Sequence, residues 1–371
     1  MKIGIDCRMI KATGIGRYVS NLIEEISKID NKNEYILFFK EGEFNSFQVP
    51  GSNFRKVLAN FHWYGISEQI KFPPLIKKYN LDLMHFPHFN APLFYRGNFV
   101  VNIHDLTLHH YKTIRASTKS YLTYSIKNLF YKVTIKNSIR RALKIFAISE
   151  FTKKDVINTF KVPEIKILLT YPGGPSLNLV KKNPDTKVLK KIETNPPFIL
   201  YVGNAYPHKN LENLIKALNY LPSEVNLVLV GEIDEFYKRL KKNTSELNIQ
   251  KRVKFTGFLT DEELVFLYKN ASVFAFPSFN EGFGLPALEA MAFGLPVVSS
   301  SSSCLPEILG EGALYFNPKD PKDIAKKIEK VLDDNDLKDN LVRNGYDQIK
   351  KYSWKRMAEQ TLGAYKEILD K

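Results

Sequence analysis

A chain of 371 residues, 44% apolar and 25% charged, has the make-up of a globular protein, and its length suggests about two domains. Cys7 and Cys304 are too few for a disulfide framework, and no apolar run approaches the ~18 residues that cross a bilayer, so disulfide scaffolds and membrane-spanning proteins are set aside. A formal charge of +15, from 54 Lys and Arg against 39 Asp and Glu, asks for an anionic partner: nucleic acid, a phosphorylated small molecule or an acidic membrane surface.

Met1 leads directly into "KIGIDCRMI", which has the pattern of a strand and not of a signal peptide, so a cytoplasmic location is expected. Further strands are expected at Tyr35 to Phe39, Leu81 to His85, Phe99 to Ile103 and Lys144 to Ile148, alternating with helical patterns. Several of these runs are almost wholly apolar, as in strands buried on both faces, and the alternation argues for an α/β fold of parallel, doubly wound sheets. After the first strand, "MIKATGIGRYVSNLIEEI" places Gly14 and Gly16 in a loop ahead of an amphipathic helix. Glycines there let backbone N–H groups approach a diphosphate, although a tight strand-to-helix turn needs glycine in any case. "VVNIHDLTLHHY" puts His104 and Asp105 at the carboxyl end of a strand, where ligands of such sheets bind; the alternative is a histidine satisfied by a backbone carbonyl.

From Lys112 to Lys144 there are nine Lys or Arg and no Asp or Glu, interleaved with Tyr121, Tyr124, Phe130 and Tyr131. Leu122, Ile126, Leu129 and Val133 recur at helical spacing, giving a basic amphipathic helix that is either a membrane-surface element or the solvated face of a core helix. Between Tyr171 and Pro197 the pattern breaks into Pro, Gly and Lys, and it restarts with "FILYVGN". Two Rossmann-like domains of similar size are therefore expected, residues 1–172 and 173–351, with 352–371 a closing helix on the first domain. Facing domains of this kind would bind ligand in the cleft between them.

In the second half, strands are expected at Phe198 to Val202, Val225 to Val230, Val253 to Phe255, Val273 to Phe276 and Pro296 to Ser299. Lys209, in "VGNAYPHKNLENL", stands at a helix start, against the dipole preference, which suits a cation for ligand phosphate; the alternative is a solvated lysine. The segment "NEGFGLPALEAM" puts Glu281 in a glycine loop and starts a helix running from Leu285 through Gly294, with Pro286 at its first position and Glu289 in its first turn. Gly282 and Gly284 would offer backbone donors to a sugar or an anion. The two glutamates are either an acid/base pair about 5–9 Å apart across one glycosidic bond, or two posts around a polyhydroxylated ligand. Glu289 could also simply complement the helix dipole. No His/Cys cluster at ligand spacing is visible, so neither a metal nor another cofactor is expected.

The run from Gly203 to Pro306, with "VGNAYPHKN", "LVLVGE", "VKFTGFLTDEEL", "PSFNEGFGLPALEAMAFGLPVV" and "SSSCLPEI", resembles the retaining GT-B glycosyltransferases of the large family 4. "GIGRY" and "IHDL" match the family's N-terminal landmarks, and "YSWKRMAEQTLGAYKEIL" its closing helix, so the resemblance covers almost the whole chain. It implies an acceptor bound by the 1–172 domain and a nucleotide-sugar donor bound by the 173–351 domain, and it assigns roles. Glu281 would bind hydroxyls of the donor sugar, while Gly282, Phe283, Gly284 and Leu285 offer backbone at the sugar and diphosphate. Glu289 would hold the ribose and Lys209 would neutralise the diphosphate. Gly16 would approach it from the first domain, His104 would line the reacting centre, and Phe258 and Leu259 would meet the base. His104, Lys209 and Glu281 are thus the catalytic candidates, with Asp105 and Arg17 auxiliary or acceptor-facing.

One departure is Asn204, where many members carry arginine; either Arg17 or another basic residue compensates, or Lys209 and helix dipoles act alone. The serines of "SSSCLPEI" are similar to those of bacterial mannosyltransferases of surface polysaccharide synthesis, which makes GDP-mannose the expected donor and a glycan or lipid-linked molecule the acceptor. Retention in this family is generally explained without a protein nucleophile or a metal. Rival readings are a nucleotide-sugar epimerase on the same fold and a non-catalytic protein peripheral on the inner face of the cell membrane. A nucleic-acid partner is not expected, because no recognition motif is visible.

Overall fold

The computed structural model describes residues 1–111, 121–174, 182–185, 192 and 194–370, without the side chains of 13 and 121–124. Two compact units divide the chain: Met1–His109, Lys119–Gly173 and Ser353–Lys371 belong to the first, and Gly174–Tyr352 makes the bulk of the second.

In the first unit, β1 (Lys2–Asp6), β2 (Glu34–Phe39), β3 (Phe54–Leu58), β4 (Leu83–Phe86), β5 (Phe99–Ile103), β6 (Lys144–Ala147) and β7 (Ile167–Leu169) form one sheet in the order β3-β2-β1-β4-β5-β6-β7. In the second, β8 (Phe198–Val202), β9 (Asn226–Val230), β10 (Val253–Gly257), β11 (Val273–Phe276), β12 (Val297–Ser300) and β13 (Ala313–Phe316) run in the order β10-β9-β8-β11-β12-β13. Every strand pair is parallel. The expected strands are all present, shifted by at most two residues at an end. Three further ones escape the sequence pattern. β3, "FRKVL", is an edge strand whose Arg55 and Lys56 interrupt its apolar run, β7 is a three-residue edge, and β13 is a four-residue edge.

Strand order determines where each sheet opens. The chain builds β1, β2 and β3 outward on one side, then crosses to β4 on the other, so the crossover helices splay apart between β1 and β4; the same reversal lies between β8 and β11. Crevices at the carboxyl ends of strands at such switch points are the usual ligand sites of open α/β sheets.

The Trp354–Leu369 helix returns to the first unit and packs on the Thr13–Ile29 helix. It inserts the fully buried Tyr365, whose hydroxyl bonds Nδ1 of His85 on β4, while the other ring nitrogen bonds Asn102 on β5. In the Tyr121–Arg141 helix, Ile135 and Ile139 are fully buried, each worth roughly 1.5–3 kcal/mol of burial. Ile126, Leu129 and Val133 are 61%, 64% and 47% exposed. The expected single apolar face is therefore two faces, one in the core and one an outward ridge beside Lys136 and Arg140. Lys112 to Ser120, and the side chains of Tyr121, Leu122 and Tyr124, lie outside the described residues.

Candidate active site

At the second switch point, the loops after β8 and β11 are tied together before any ligand is considered. Phe279 N donates to His208 O at 2.8 Å, and Asn210, held at φ +60°, donates through Nδ2 to Pro277 O at 3.0 Å and Pro318 O at 2.7 Å. Lys209 closes a 3-10 turn, Pro207–Lys209, and the following α-helix begins only at Leu211, so it stands one step before the helix start expected for it. Its ammonium lies 2.7 and 2.8 Å from the two oxygens of Glu281. Both side chains are largely covered, at 16% and 10% exposure. Ser278 Oγ donates to the same carboxylate at 2.7 Å, Glu281 N donates to Ser303 Oγ at 3.1 Å, and Cys304 Sγ donates to Glu281 O at 3.2 Å. The sugar-binding and phosphate-binding candidates are thus partners of each other.

The helix after this loop runs Leu285–Ala292, two residues shorter than expected, because Phe293 leaves helical geometry and Gly294 takes φ +69°. Gly284 caps it at φ +99°, and a Cβ there would press on Leu305 and Phe276, so only glycine fits. Pro286 is the second helical residue, and Glu289 sits beyond the first turn, 2% exposed. Glu289 Oε2 accepts a hydrogen bond from Tyr268 at 3.0 Å, and such burial argues against a mere dipole complement. Gly282 and Phe283 are buried, with Phe283 edge-on to Tyr352 at 5.1 Å, and Leu285 is half-buried. At the end of β10, Gly257 turns the chain at φ +73°, leaving Phe258 83% exposed and Leu259 buried. Asn204 is half-buried after β8, and its carbonyl accepts from Tyr201 at 2.8 Å.

In the first unit, Gly14 and Gly16 do not form a loop ahead of a helix: they lie in the first turn of the Thr13–Ile29 helix. A Cβ on Gly16 would collide with Ile10 O, so its small size serves close packing against the chain's own backbone. Gly14 is the exposed glycine, with open space around its Cα. Arg17 follows just beyond that turn, half-buried. His104 Nε2 donates to Pro87 O at 2.8 Å, which is the satisfied-histidine alternative realised. Burial pushes its pKa down, so the ring is neutral and Nδ1 keeps its lone pair. Asp105 Oδ1 accepts from Thr107 N at 2.8 Å and opens the short Thr107–His110 helix.

Sequence reasoning missed Ser278, Ser303 and Tyr268, the residues that orient the two glutamates. Ser278 stood three positions before Glu281, but only the loop geometry turns it back on the carboxylate. Among the described residues no three His, Cys, Asp or Glu side chains are grouped to hold a metal ion. The Asp-x-Asp triplet at Asp334 and Asp336, overlooked in the sequence pattern, serves a helix start: Asp334 Oδ1 accepts from Leu337 N at 2.9 Å.

Two family models match this chain: "Glycosyltransferase Family 4" over residues 12–173 and "Glycosyl transferases group 1" over residues 183–348. The O-antigen chain mannosyltransferase B of Escherichia coli is 29% identical over 382 residues, covering 95% of this chain and 96% of its own. The O-antigen chain mannosyltransferase RfbU of Salmonella typhimurium is 30% identical over 301 residues, covering 80% and 79%. Among solved structures, Anabaena Alr3699/HepE in complex with UDP-glucose superposes with a TM-score of 0.76 at 19% identity, over 99% of this chain and all of the other, which identifies the GT-B fold.

Proposed function

The chain belongs to the glycosyltransferases of family 4 and group 1 that act in cell-surface polysaccharide synthesis, and we propose that it moves mannose from GDP-mannose to a glycan or lipid-linked acceptor with retention of configuration and without a metal. The observation that carries this reading is the Lys209–Glu281 pair at the β8/β11 switch point, beside the glycine-capped start of the Leu285–Ala292 helix. A cation and a helix start favour a diphosphate, and an oriented carboxylate favours sugar hydroxyls. In the proposed step the anomeric C–O bond breaks with its electron pair passing to the diphosphate. The acceptor oxygen bonds the same face of the anomeric carbon, and its proton passes to a diphosphate oxygen. Lys209 and the backbone donors after Glu281 meet the charge developing on the leaving group, usually the largest catalytic term. Glu289, oriented by Tyr268, holds the ribose.

The outward ridge of Ile126, Leu129 and Val133, with Lys136 and Arg140 exposed on the same helix, supports a peripheral position on an anionic membrane. The deciding experiment is thermal stabilisation and turnover with a panel of nucleoside diphosphate sugars, with and without chelator. Stabilisation by GDP-mannose above UDP-sugars, an α-linked product and indifference to chelator are expected. Preference for a UDP-sugar overturns the donor, and turnover of donor into an epimer without acceptor overturns the transfer.

A further inference from the structure

We infer that the groove between the Ile66–Lys77 helix and the segment from Leu93 to Gly97 is a docking site for an acidic amphipathic helix of a partner protein. The inference lies outside the transfer reaction and does not depend on the identity of the donor. β4 and β5 are parallel neighbours, and parallel strands need a crossover, usually a helix, yet Pro87 to Asn98 joins them without one. Right-handed crossovers from β3 to β4 and from β5 to β6 put the Ile66–Lys77 and Tyr121–Arg141 helices on one face of the sheet. Phe72 and Ile76 of the first helix, Ile135 and Ile139 of the second, and Phe89 and Tyr95 of the connection share one core. The helical layer is therefore interrupted where its middle member would lie.

The connection leaves uncovered a groove of about 670 Å³, with Ile70, Pro73 and Pro74 on one wall and Phe94, Tyr95 and Arg96 on the other. Leu81 and Gly97, which precede β4 and β5, also line it, so it lies at the opposite end of the strands from the switch-point crevice. Ile66, Ile70, Pro73 and Lys77 fall at i, i+4, i+7 and i+11 of their helix, a single stripe about 16 Å long. Ile66 and Ile70 are 77% and 60% exposed, and Phe94 across the groove is 59% exposed. Proline inside a helix removes a backbone donor and costs stability, so Pro73 and Pro74 make this apolar wall against local preference. A stripe of three turns, open along its length, fits the ridge of another helix better than it fits a small molecule.

The polar groups set the sign of the occupant. Lys77 and Arg96 line the groove, and Arg141 reaches toward it with Nη1 3.5 Å from Leu93 O. Burial first, then Arg96, lowers the Arg141 pKa, so the two guanidiniums are close enough to repel. Among the described residues no carboxylate pairs with any of these three cations. Gln69, 4% exposed on the groove lining, turns Oε1 to Leu93 N at 2.7 Å and leaves Nε2 a buried donor without a partner. Cations and an unmet donor call for carboxylates. A second copy of the chain is disfavoured, because each copy carries +15. A bilayer surface is disfavoured because it would cover the rim without reaching Gln69.

The test pans a displayed library of helical peptides of about 15 residues against the full chain and measures the enriched peptides by fluorescence anisotropy. Enriched peptides are expected to carry apolar residues at i, i+4 and i+7 beside Asp or Glu. Ile70→Asp and Phe94→Ala should each weaken them about tenfold, with GDP binding and sugar transfer unchanged. Arg96→Glu should weaken them too and recover when the acids of the peptide are exchanged for lysine, a reversal that a misfolded variant cannot give. Equal peptide affinity in Ile70→Asp overturns the inference, as does a library that yields no binder or binders lacking the acidic and apolar pattern. Phosphatidylglycerol vesicles test the membrane alternative: both Ile70→Asp and Phe94→Ala should bind them as the wild type does, and loss of vesicle binding in both would replace the helix with a lipid surface.

Discussion

Replacing Glu281 by glutamine should move nucleotide binding and sugar transfer in opposite directions. The carboxylate lies 2.7 and 2.8 Å from Lys209 Nζ, so a diphosphate that recruits the same ammonium brings a second anion onto one cation. With the two anions about 5.5 Å apart and an effective dielectric of about 20, their repulsion is about 3 kcal/mol. The side chains are 16% and 10% exposed, so partial water access halves this to about 1.5 kcal/mol, roughly a tenfold factor in Kd. Glutamine keeps an oxygen for Ser278 and Lys209 while removing the charge, so GDP should bind five- to tenfold more tightly (roughly, from the same Coulomb figure). The donor sugar loses a charged acceptor in the transition state, and kcat should fall by about 100-fold. Calorimetry with GDP and initial rates with GDP-mannose separate the two effects. Parallel loss of both would refute the reasoning, because it would make Glu281 part of the nucleotide's hold and not its competitor for Lys209.

Lys209→Ala strands the covered Glu281 carboxylate, and a cost of about 2 kcal/mol corresponds to a melting point roughly 4–8 °C lower, alongside weakened GDP binding. Glu289→Ala should weaken GDP binding about tenfold with little effect on kcat at saturating donor, and Tyr268→Phe should give a smaller loss of the same kind, both readable by calorimetry. His85 has its pKa pushed down to about 4 by burial. The unfolded chain, with its histidine near pH 6.5, takes up a proton that the folded one refuses, so stability present at pH 7 is lost as pH falls from about 6.5 toward 4. Thermal melts across that window should fall for the wild type and less steeply for His85→Gln. Leu129→Glu on the outward ridge should release the protein from anionic vesicles without altering turnover of a soluble acceptor; unchanged vesicle binding would remove that helix from the membrane contact.

The central strands were legible because each is a nearly unbroken apolar run, which only a doubly covered parallel sheet requires. β3 was not, since Arg55 and Lys56 interrupt its apolar run, and β7 and β13, though apolar, are edge strands of only three and four residues. Helix chemistry was half legible. Pro286 and Gly284 marked the start of the Leu285–Ala292 helix, but Gly294 marked its end only to within two residues, since Phe293 already leaves helical geometry before Gly294 takes φ +69°. Gly16 illustrates the ambiguity of glycine most directly. Its sequence position suited a diphosphate, while the space its missing Cβ leaves is filled by Ile10 O.

Side-chain partnership was the least legible property. Lys209 and Glu281 lie 72 positions apart and drew separate roles from their local settings, yet they are joined because β8 and β11 are neighbours across a switch point. Arg8 and Glu68, 60 positions apart, are joined by the same kind of reversal at β1 and β4. The two crevices then differ in charge. The second sets one lysine and a helix start against one glutamate, so an arriving diphosphate finds a cation that can be shared. The first sets one buried arginine against two carboxylates, Asp6 and Glu68. That asymmetry follows from residue type and topology together, and it supports the proposed seat of the nucleotide diphosphate at the second sheet.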